Sequence, residues 1–287
     1  MAGLRGIKTI RDFELNEKTL FLRLDLNVPL EGGKISDETR IQASIPTIKY
    51  ALEKGAKVVM ASHLGRPKSA DDKKYSLEPV AERLSEILGY DVILAENPDT
   101  EAMRAILIGL KKNQLILLEN VRFEPGETEN SDEYAQKLAS FTDVYINDAF
   151  GASHRAHATI EALPRLIKQR GIGFLIEKEI QMLDKLLETP ARPYLAILGG
   201  AKVSDKIGVI ENLIDRVDVI MIGGAMAYTF LKAKGLPVGK SLVETEKLNY
   251  ARELIARIEA RDKSLLLPVD HKVTADFNST SCTTTTG

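Results

Sequence analysis

A single cysteine, Cys282, is all the thiol the chain possesses. With no second cysteine, an intrachain disulfide and a cysteine metal cluster are both excluded. An excess of one charge sign is lacking as well: 39 Lys and Arg stand against 41 Asp and Glu, a formal net charge of -2. Without a global cationic field the chain is not expected to take nucleic acid as a partner, and any phosphate binding must be local. Long apolar runs are also missing. Charges interrupt them well before the ~20 residues that a membrane helix needs, and the N-terminal MAGLRGIKTIRDF has no signal-peptide apolar region. These absences predict a cytoplasmic protein without membrane association. What is present, 44% hydrophobic and 28% charged residues over 287 positions, suits one large or two medium globular domains.

Short apolar runs alternate with stretches of helical periodicity, the signature of βα units and a parallel sheet covered on both faces. Strands are predicted at residues 19–24, 57–61, 91–95, 114–118 and 143–146, and helices at 38–54, 77–88, 99–111 and 131–141. In the first helix Ile41, Ile45, Ile48 and Leu52 recur at helical spacing, and Gly55 stops it. A second stripe, Ile176, Ile180, Leu183 and Leu187, predicts a helix over 174–187 that joins two domains. Beyond it, strands are predicted at 194–198, 217–222 and 264–269 and helices at 205–213, 225–234 and 244–260. The polar NSTSCTTTTG at 278–287 lacks the apolar surface to order itself. Three strands are fewer than a doubly wound sheet normally carries. The expected fold is therefore α/β: two Rossmann-like parallel-sheet domains of three-layer αβα type, the second incomplete. Their boundaries are expected at residues 1–173, 174–190 for the connecting helix and hinge, and 191–287.

Ligands of open parallel sheets bind beyond the carboxyl ends of the strands, where loops lead into helix N-termini. After the predicted strands of the first half come Asp25 and Asn27, His63 and Arg66, Arg122, and Arg155, with Arg40 opening the first helix. Such a set of cations in a slightly acidic protein suits a small, highly charged anion, with arginine forks on phosphate or carboxylate and Asp25 and Asn27 on hydroxyls. His154 and His157 flank Arg155 with no third ligand nearby, so structural roles are expected of them and no metal site is predicted. In the second half, GGAKVSDKIGV matches neither a P-loop nor a dinucleotide fingerprint. Ser204 is the expected N-cap, placing Lys202 before a helix and Lys206 in its first turn. Lysine there opposes the helix dipole, which a bound polyanion would reverse; by composition alone, phosphate ligand and surface charge both remain open. Gly223 and Gly224 could admit a flat ring or a ribose, or simply make a tight turn.

In order along the chain, RLDLNVP, SHLGRP, LLENVRF, NDAFGASHRAHA, GGAKVSDKIGV and IGGAMAYTFLKAKG together resemble the phosphoglycerate kinases, from about residue 20 to about residue 270. The resemblance implies a monomeric two-domain kinase of glycolysis and gluconeogenesis that transfers a phosphoryl group between 1,3-bisphosphoglycerate and ADP, giving 3-phosphoglycerate and ATP. It implies that Asp25, Asn27, Arg40 and His63 bind the glycerate end of the substrate and that Arg66, Arg122 and Arg155 hold its 3-phosphate. It further implies that Lys202 and Lys206 contact the nucleotide phosphates, that Gly200 also belongs to the nucleotide site, that Gly223 and Gly224 line the adenine pocket, and that Arg40 and Lys202 serve catalysis. Mg2+ would be carried by the nucleotide, and a hinge would close the domains. The family pattern continues beyond Gly287: its later strands, its Mg2+-ligating and ribose-binding acidic residues, its last glycine turn and its returning tail have no match here. A fragment of a longer product is the expectation, with an apolar sheet edge left unpaired and prone to aggregation. The alternative is a non-catalytic truncated paralogue that binds 3-phosphoglycerate or a similar anion. A Rossmann oxidoreductase is disfavoured by the missing fingerprint.

Overall fold

The computed structural model describes residues 6–96, 100–112, 114–274 and 283–286. The chain divides into two compact units, Met1–Asp184 and Lys185–Gly287.

In the first unit β1 (Thr19–Leu24) is followed by a short hairpin, β2 (Leu30–Glu31) and β3 (Lys34–Ile35), then α1 (Thr39–Glu53), β4 (Lys57–Ala61), α2 (Glu78–Leu88) and β5 (Asp91–Ala95). Next come α3 (Thr100–Gly109), β6 (Gln114–Leu118), α4 (Pro125–Thr128), α5 (Asp132–Ala139), β7 (Val144–Asp148), α6 (Leu163–Leu166), β8 (Gln169–Ile172) and α7 (Phe174–Glu188), whose last residues, from Lys185, belong to the second unit. Six strands pair in parallel in the order β5-β6-β4-β1-β7-β8. Sequence patterning misses the edge strand β8, because QRGI offers no run of apolar residues and is only partly buried. The predicted helix at 99–111 is observed from Thr100; Asp99 lies outside the described residues. Ser131 is the N-cap of α5, its hydroxyl accepting the Tyr134 N–H at 3.3 Å.

Side chains alternate between two cores. Leu20, Leu22 and Leu24 of β1 join Met60, Leu117 and Ile146 on the face covered by α1 and α2. Phe21 points the other way, with Val59, Ile116 and Tyr145. A central parallel strand is buried on both faces, so the odd-numbered face of β1 leaves Arg23 fully buried in a position that composition would reserve for an apolar residue.

The end of β7 also anchors α7. Buried Asp148 accepts the Leu175 and Ile176 N–H groups at 2.9 and 3.1 Å. Thr47 donates to its other oxygen at 2.5 Å and accepts the Phe174 N–H at 3.1 Å. Of the stripe expected along this helix, Ile176 is buried while Leu183 and Leu187 are exposed.

In the second unit β9 (Leu195–Leu198), α8 (Ile207–Leu213), β10 (Val219–Ile222), α9 (Met226–Ala233), α10 (Leu248–Glu259) and β11 (Ser264–Leu266) follow in turn. The three strands form a parallel sheet in the order β11-β10-β9. One face packs on Ile210, Ile214, Phe230, Leu254 and Ile258. Ile197, 69% exposed, and Leu195 and Leu266 show that apolar side chains on the opposite face are open to solvent, beyond the edge exposure expected from the sequence. The tail departs from expectation: β12 (Asp270–Val273) pairs antiparallel with β13 (Thr283–Thr286), inside the stretch predicted to stay unordered. β-Branched threonines favour extended backbone, and ladder hydrogen bonds need no apolar surface. The remainder of that stretch, at 278–282 and 287, lies outside the described residues.

Candidate functional site

The loops that leave β1, β4, β6 and β7 meet at the carboxyl rim of the first sheet. Asn27 accepts the Gly65 N–H at 2.7 Å, and Arg122 Nη1 donates to the Gly65 carbonyl at 2.6 Å. Gly65 has φ +57° and lies under the Tyr75 ring, where an added Cβ would come within 2.3 Å of a ring carbon, so only glycine fits this turn. Buried Asn120 ties the same loop down, its amide donating to the carbonyls of Leu64 and Tyr75 at 2.8 and 2.9 Å and its oxygen accepting the Leu64 N–H at 3.2 Å.

On this frame Arg66, Arg122, Arg155 and His157 line one cleft of about 500 Å³, together with Pro67, Lys68, Phe123 and Thr128. Among the described residues no carboxylate pairs with Arg66, Arg122 or Arg155, and Arg122 Nε is buried without a hydrogen-bond partner. Burial and then the neighbouring Arg155 and Arg23 lower the pKa of the Arg122 guanidinium. Crowded, partly desolvated cations with free donors are an anion site in chemical terms. Of the other predicted rim residues, Arg40 is salt-bridged to Asp25, and Asn27 serves the Gly65 turn. His63 is buried, and its Nδ1 is 3.4 Å from Arg23 Nη2.

Burial, reinforced by Arg23, Arg122, Arg155 and His157, pushes the His63 pKa down to about 2. Burial likewise takes His157 to about 4. Unfolded, each titrates near 6.5, so the unfolded chain binds the extra protons below that pH and stability falls with it. Going from pH 7 to pH 5 is expected to cost the first unit about 2–4 kcal/mol, read as a fall in its urea midpoint. His157 stops contributing near pH 4, whereas His63 continues to about pH 2. Asp148 acts with the opposite sign, since burial raises its pKa.

In the second unit the turns after β9 and β10 abut. Gly224, at φ +67°, sits so close to Gly200 that an added Cβ would lie 2.9 Å from its nitrogen and oxygen, and Met226 N–H donates to Gly200 O at 2.9 Å. Gly200, Gly223 and Gly224 are thus brought together, and the Lys206 side chain passes over Gly200. Ser204 is not the N-cap. Residues Ser204–Lys206 form a 3-10 turn before α8, and the free N–H groups of Val203 and Ser204 are taken by the carboxylate of Glu244, which also accepts the Ser204 hydroxyl at 2.6 Å. A carboxylate does better there than a serine because it answers both the orphan donors and the positive helix end. Hydrogen bonds from Ser204 and Val203, with the nearby Lys202 charge, outweigh desolvation and hold the Glu244 carboxyl below its ordinary range.

A sequence model of the phosphoglycerate kinase family matches residues 10–286. The phosphoglycerate kinase of Bdellovibrio bacteriovorus is 68% identical over 279 residues, covering 97% of this chain and 70% of the relative. The chain belongs to the phosphoglycerate kinase family. The enzyme of Anaeromyxobacter dehalogenans is 52% identical over 96% of the chain and 70% of its own length. Among solved structures, phosphoglycerate kinase from Coxiella burnetii superposes with a TM-score of 0.81 at 38% identity, over 98% of this chain and 71% of that one. That from Pyrococcus horikoshii gives 0.82 at 33% identity, over 97% and 70%. The two-unit α/β architecture expected from the sequence is that of phosphoglycerate kinases. Sequence reading passed over three polar residues beneath the rim of this family member, Arg23, Glu127 and Thr159, all buried. One signal was legible: an arginine inside the apolar run TLFLRL.

Proposed function

We propose that the first unit binds 3-phosphoglycerate or 1,3-bisphosphoglycerate and the second ATP or ADP, for reversible phosphoryl transfer from 1,3-bisphosphoglycerate to ADP. In this reading residues 1–173 form the 3-phosphoglycerate domain, 174–190 the hinge, and 191–287 the nucleotide-binding part. The observation that carries it is the cleft where Arg66, Arg122 and Arg155 meet without a paired carboxylate. Three such cations repel one another until a phosphate neutralises them, and their forks match its oxygens. Asp25, Asn27, Arg40 and His63 take the glycerate end. Lys202 and Lys206, beside Gly200, take the nucleotide phosphates, and Gly223 and Gly224 the adenine.

Phosphoryl transfer depends on positioning and charge neutralisation in line. Arg40, half-exposed and held by Asp25, and Lys202 are the cations assigned to the group in transit. Among the described residues no cluster of His, Cys, Asp and Glu could hold a metal; Mg2+ arrives with the nucleotide phosphates, and no residue here is given a ligand role. The protein acts as a cytoplasmic monomer; among the described residues no helix is long and apolar enough to cross a membrane.

Calorimetric titration of this chain with 3-phosphoglycerate, alongside coupled turnover, tests the reading. Arg122→Ala is expected to weaken 3-phosphoglycerate about tenfold to a hundredfold, the worth of a charged hydrogen-bonding partner. Arg40→Ala is expected to lower turnover far more than nucleotide affinity; equal losses would remove it from the transfer step. Binding without turnover would leave a non-catalytic anion-binding protein, and no binding would overturn the assignment of the rim.

A further inference from the structure

Arg23 lies on β1, the strand paired with β4 and β7 in the middle of the sheet, and its side chain is 0% exposed. Each of its nitrogens has a neighbour that can accept. Nη1 donates to the Leu24 carbonyl, Nε donates to Thr159 Oγ1 at 2.8 Å, and Nη2 lies 3.4 Å from His63 Nδ1. The Thr159 hydroxyl in turn donates to Glu127 Oε1 at 2.7 Å, and the Thr159 N–H donates to Oε2 at 2.8 Å. Glu127 is itself 0% exposed. An unbroken line of hydrogen bonds therefore runs from a carboxylate through a hydroxyl and a guanidinium to the imidazole at the rim.

The direction of every bond in this line is forced. A carboxylate only accepts and a guanidinium only donates. Thr159 must then donate to Glu127 and accept from Arg23, while His63 Nδ1 must offer Nη2 a lone pair, which leaves the ring proton on Nε2. We propose that the buried Glu127–Thr159–Arg23 relay is a positioning device that fixes His63 as its neutral Nε2–H tautomer, so that the ring offers a bound anion a donor without adding charge. This use of the ring rests on the phosphoglycerate reading of the rim; the tautomer does not.

The surroundings favour the same state. Arg23 from β1, Arg122 from the turn after β6, and Arg155 and His157 from the loop after β7 all act on His63, and with burial they disfavour its protonation. The other neutral tautomer would leave a lone pair on Nε2, which repels anion oxygens, whereas Nε2–H attracts them. The hydrogen bond made by one ring nitrogen decides in this manner which nitrogen of a histidine carries the proton.

The chain has four histidines, so the ring nitrogens can be followed by ¹⁵N NMR, with His63 assigned by its loss in His63→Gln. Between about pH 5 and 8, where a free imidazole titrates, the His63 ring is expected to stay neutral with its proton on Nε2. A proton on Nδ1, or titration inside that range, overturns the proposal. Thr159→Val, which deletes the hydroxyl, is expected to mix the tautomers and weaken 3-phosphoglycerate about tenfold, while Thr159→Ser retains both properties. An unchanged His63 spectrum in the valine variant also overturns the relay. If that variant fails to fold, the wild-type tautomer still decides. Should the wild-type chain not bind 3-phosphoglycerate, the rim assignment fails while the NMR measurement continues to judge the relay.

Discussion

Replacing Arg23 by methionine is expected to destabilise the first unit by about 3–5 kcal/mol, although the substitution puts an apolar side chain into an apolar strand. Area arithmetic predicts the reverse, since burying a methionine side chain is worth about 1.5–3 kcal/mol. The network decides the sign. Without the guanidinium, the buried Glu127 carboxylate keeps its bonds from Thr159 but loses the positive charge behind them, and the Leu24 carbonyl loses its side-chain donor. Uncompensated buried charge outweighs the hydrophobic gain. The double variant Arg23→Met/Glu127→Gln removes both charges and is expected to recover much of the loss. With no tryptophan in the chain, amide hydrogen exchange of β1 and β7 is the suitable readout. Exchange as slow as wild type in the single variant would show that Arg23 and Glu127 are not energetically joined.

Gly173→Ala is the second substitution of large expected effect, about 2–4 kcal/mol when overpacking and loss of a helix cap are combined. The new Cβ would lie 2.3 Å from Asp148 Cγ and 2.5 and 2.7 Å from its oxygens, nearer than such atoms approach. Asp148 cannot swing aside at low cost, because Thr47, Leu175 and Ile176 all hold it. Either the carboxylate leaves the N-terminus of α7 or the backbone at the end of β8 shifts. The measurement is exchange at the first amides of α7 together with the melting temperature; α7 amides protected as in the wild type together with an unchanged melting temperature would refute the steric argument. An Asp148→Ala variant, which vacates the space, is expected to lose the cap without the clash and so to be hurt less when combined with Gly173→Ala than the separate losses add up to.

Much of the fold was legible in the sequence. β1, β4, β5 and β6 occupy the predicted residues because each is an apolar run bounded by polar or glycine-containing segments. β8 and the β2–β3 hairpin escaped for the complementary reason: QRGI, LE and KI have no run to detect. The cap of α8 shows another limit. Ser204 fits the local rule, yet Glu244, forty residues later, takes the free N–H groups. A local rule ranks nearby candidates and cannot weigh a distant carboxylate that reaches the same donors. Low complexity at the tail misled in the other direction, since pairing of β12 with β13 draws on backbone hydrogen bonds, to which apolar content is no guide.

Periodicity and chain direction were enough to place Arg66, Arg122 and Arg155 at one rim, because every parallel strand delivers its following loop to the same end of the sheet. Which polar groups meet inside was settled only by tertiary structure. Arg23 finds Thr159 across 136 residues and His63 across 40, and Thr159 finds Glu127 across 32. Those meetings depend on the spatial order of strands and on the face each residue takes. Sequence neighbours do not encode that order, since a buried donor is matched to whatever acceptor the packed sheet brings within hydrogen-bonding distance.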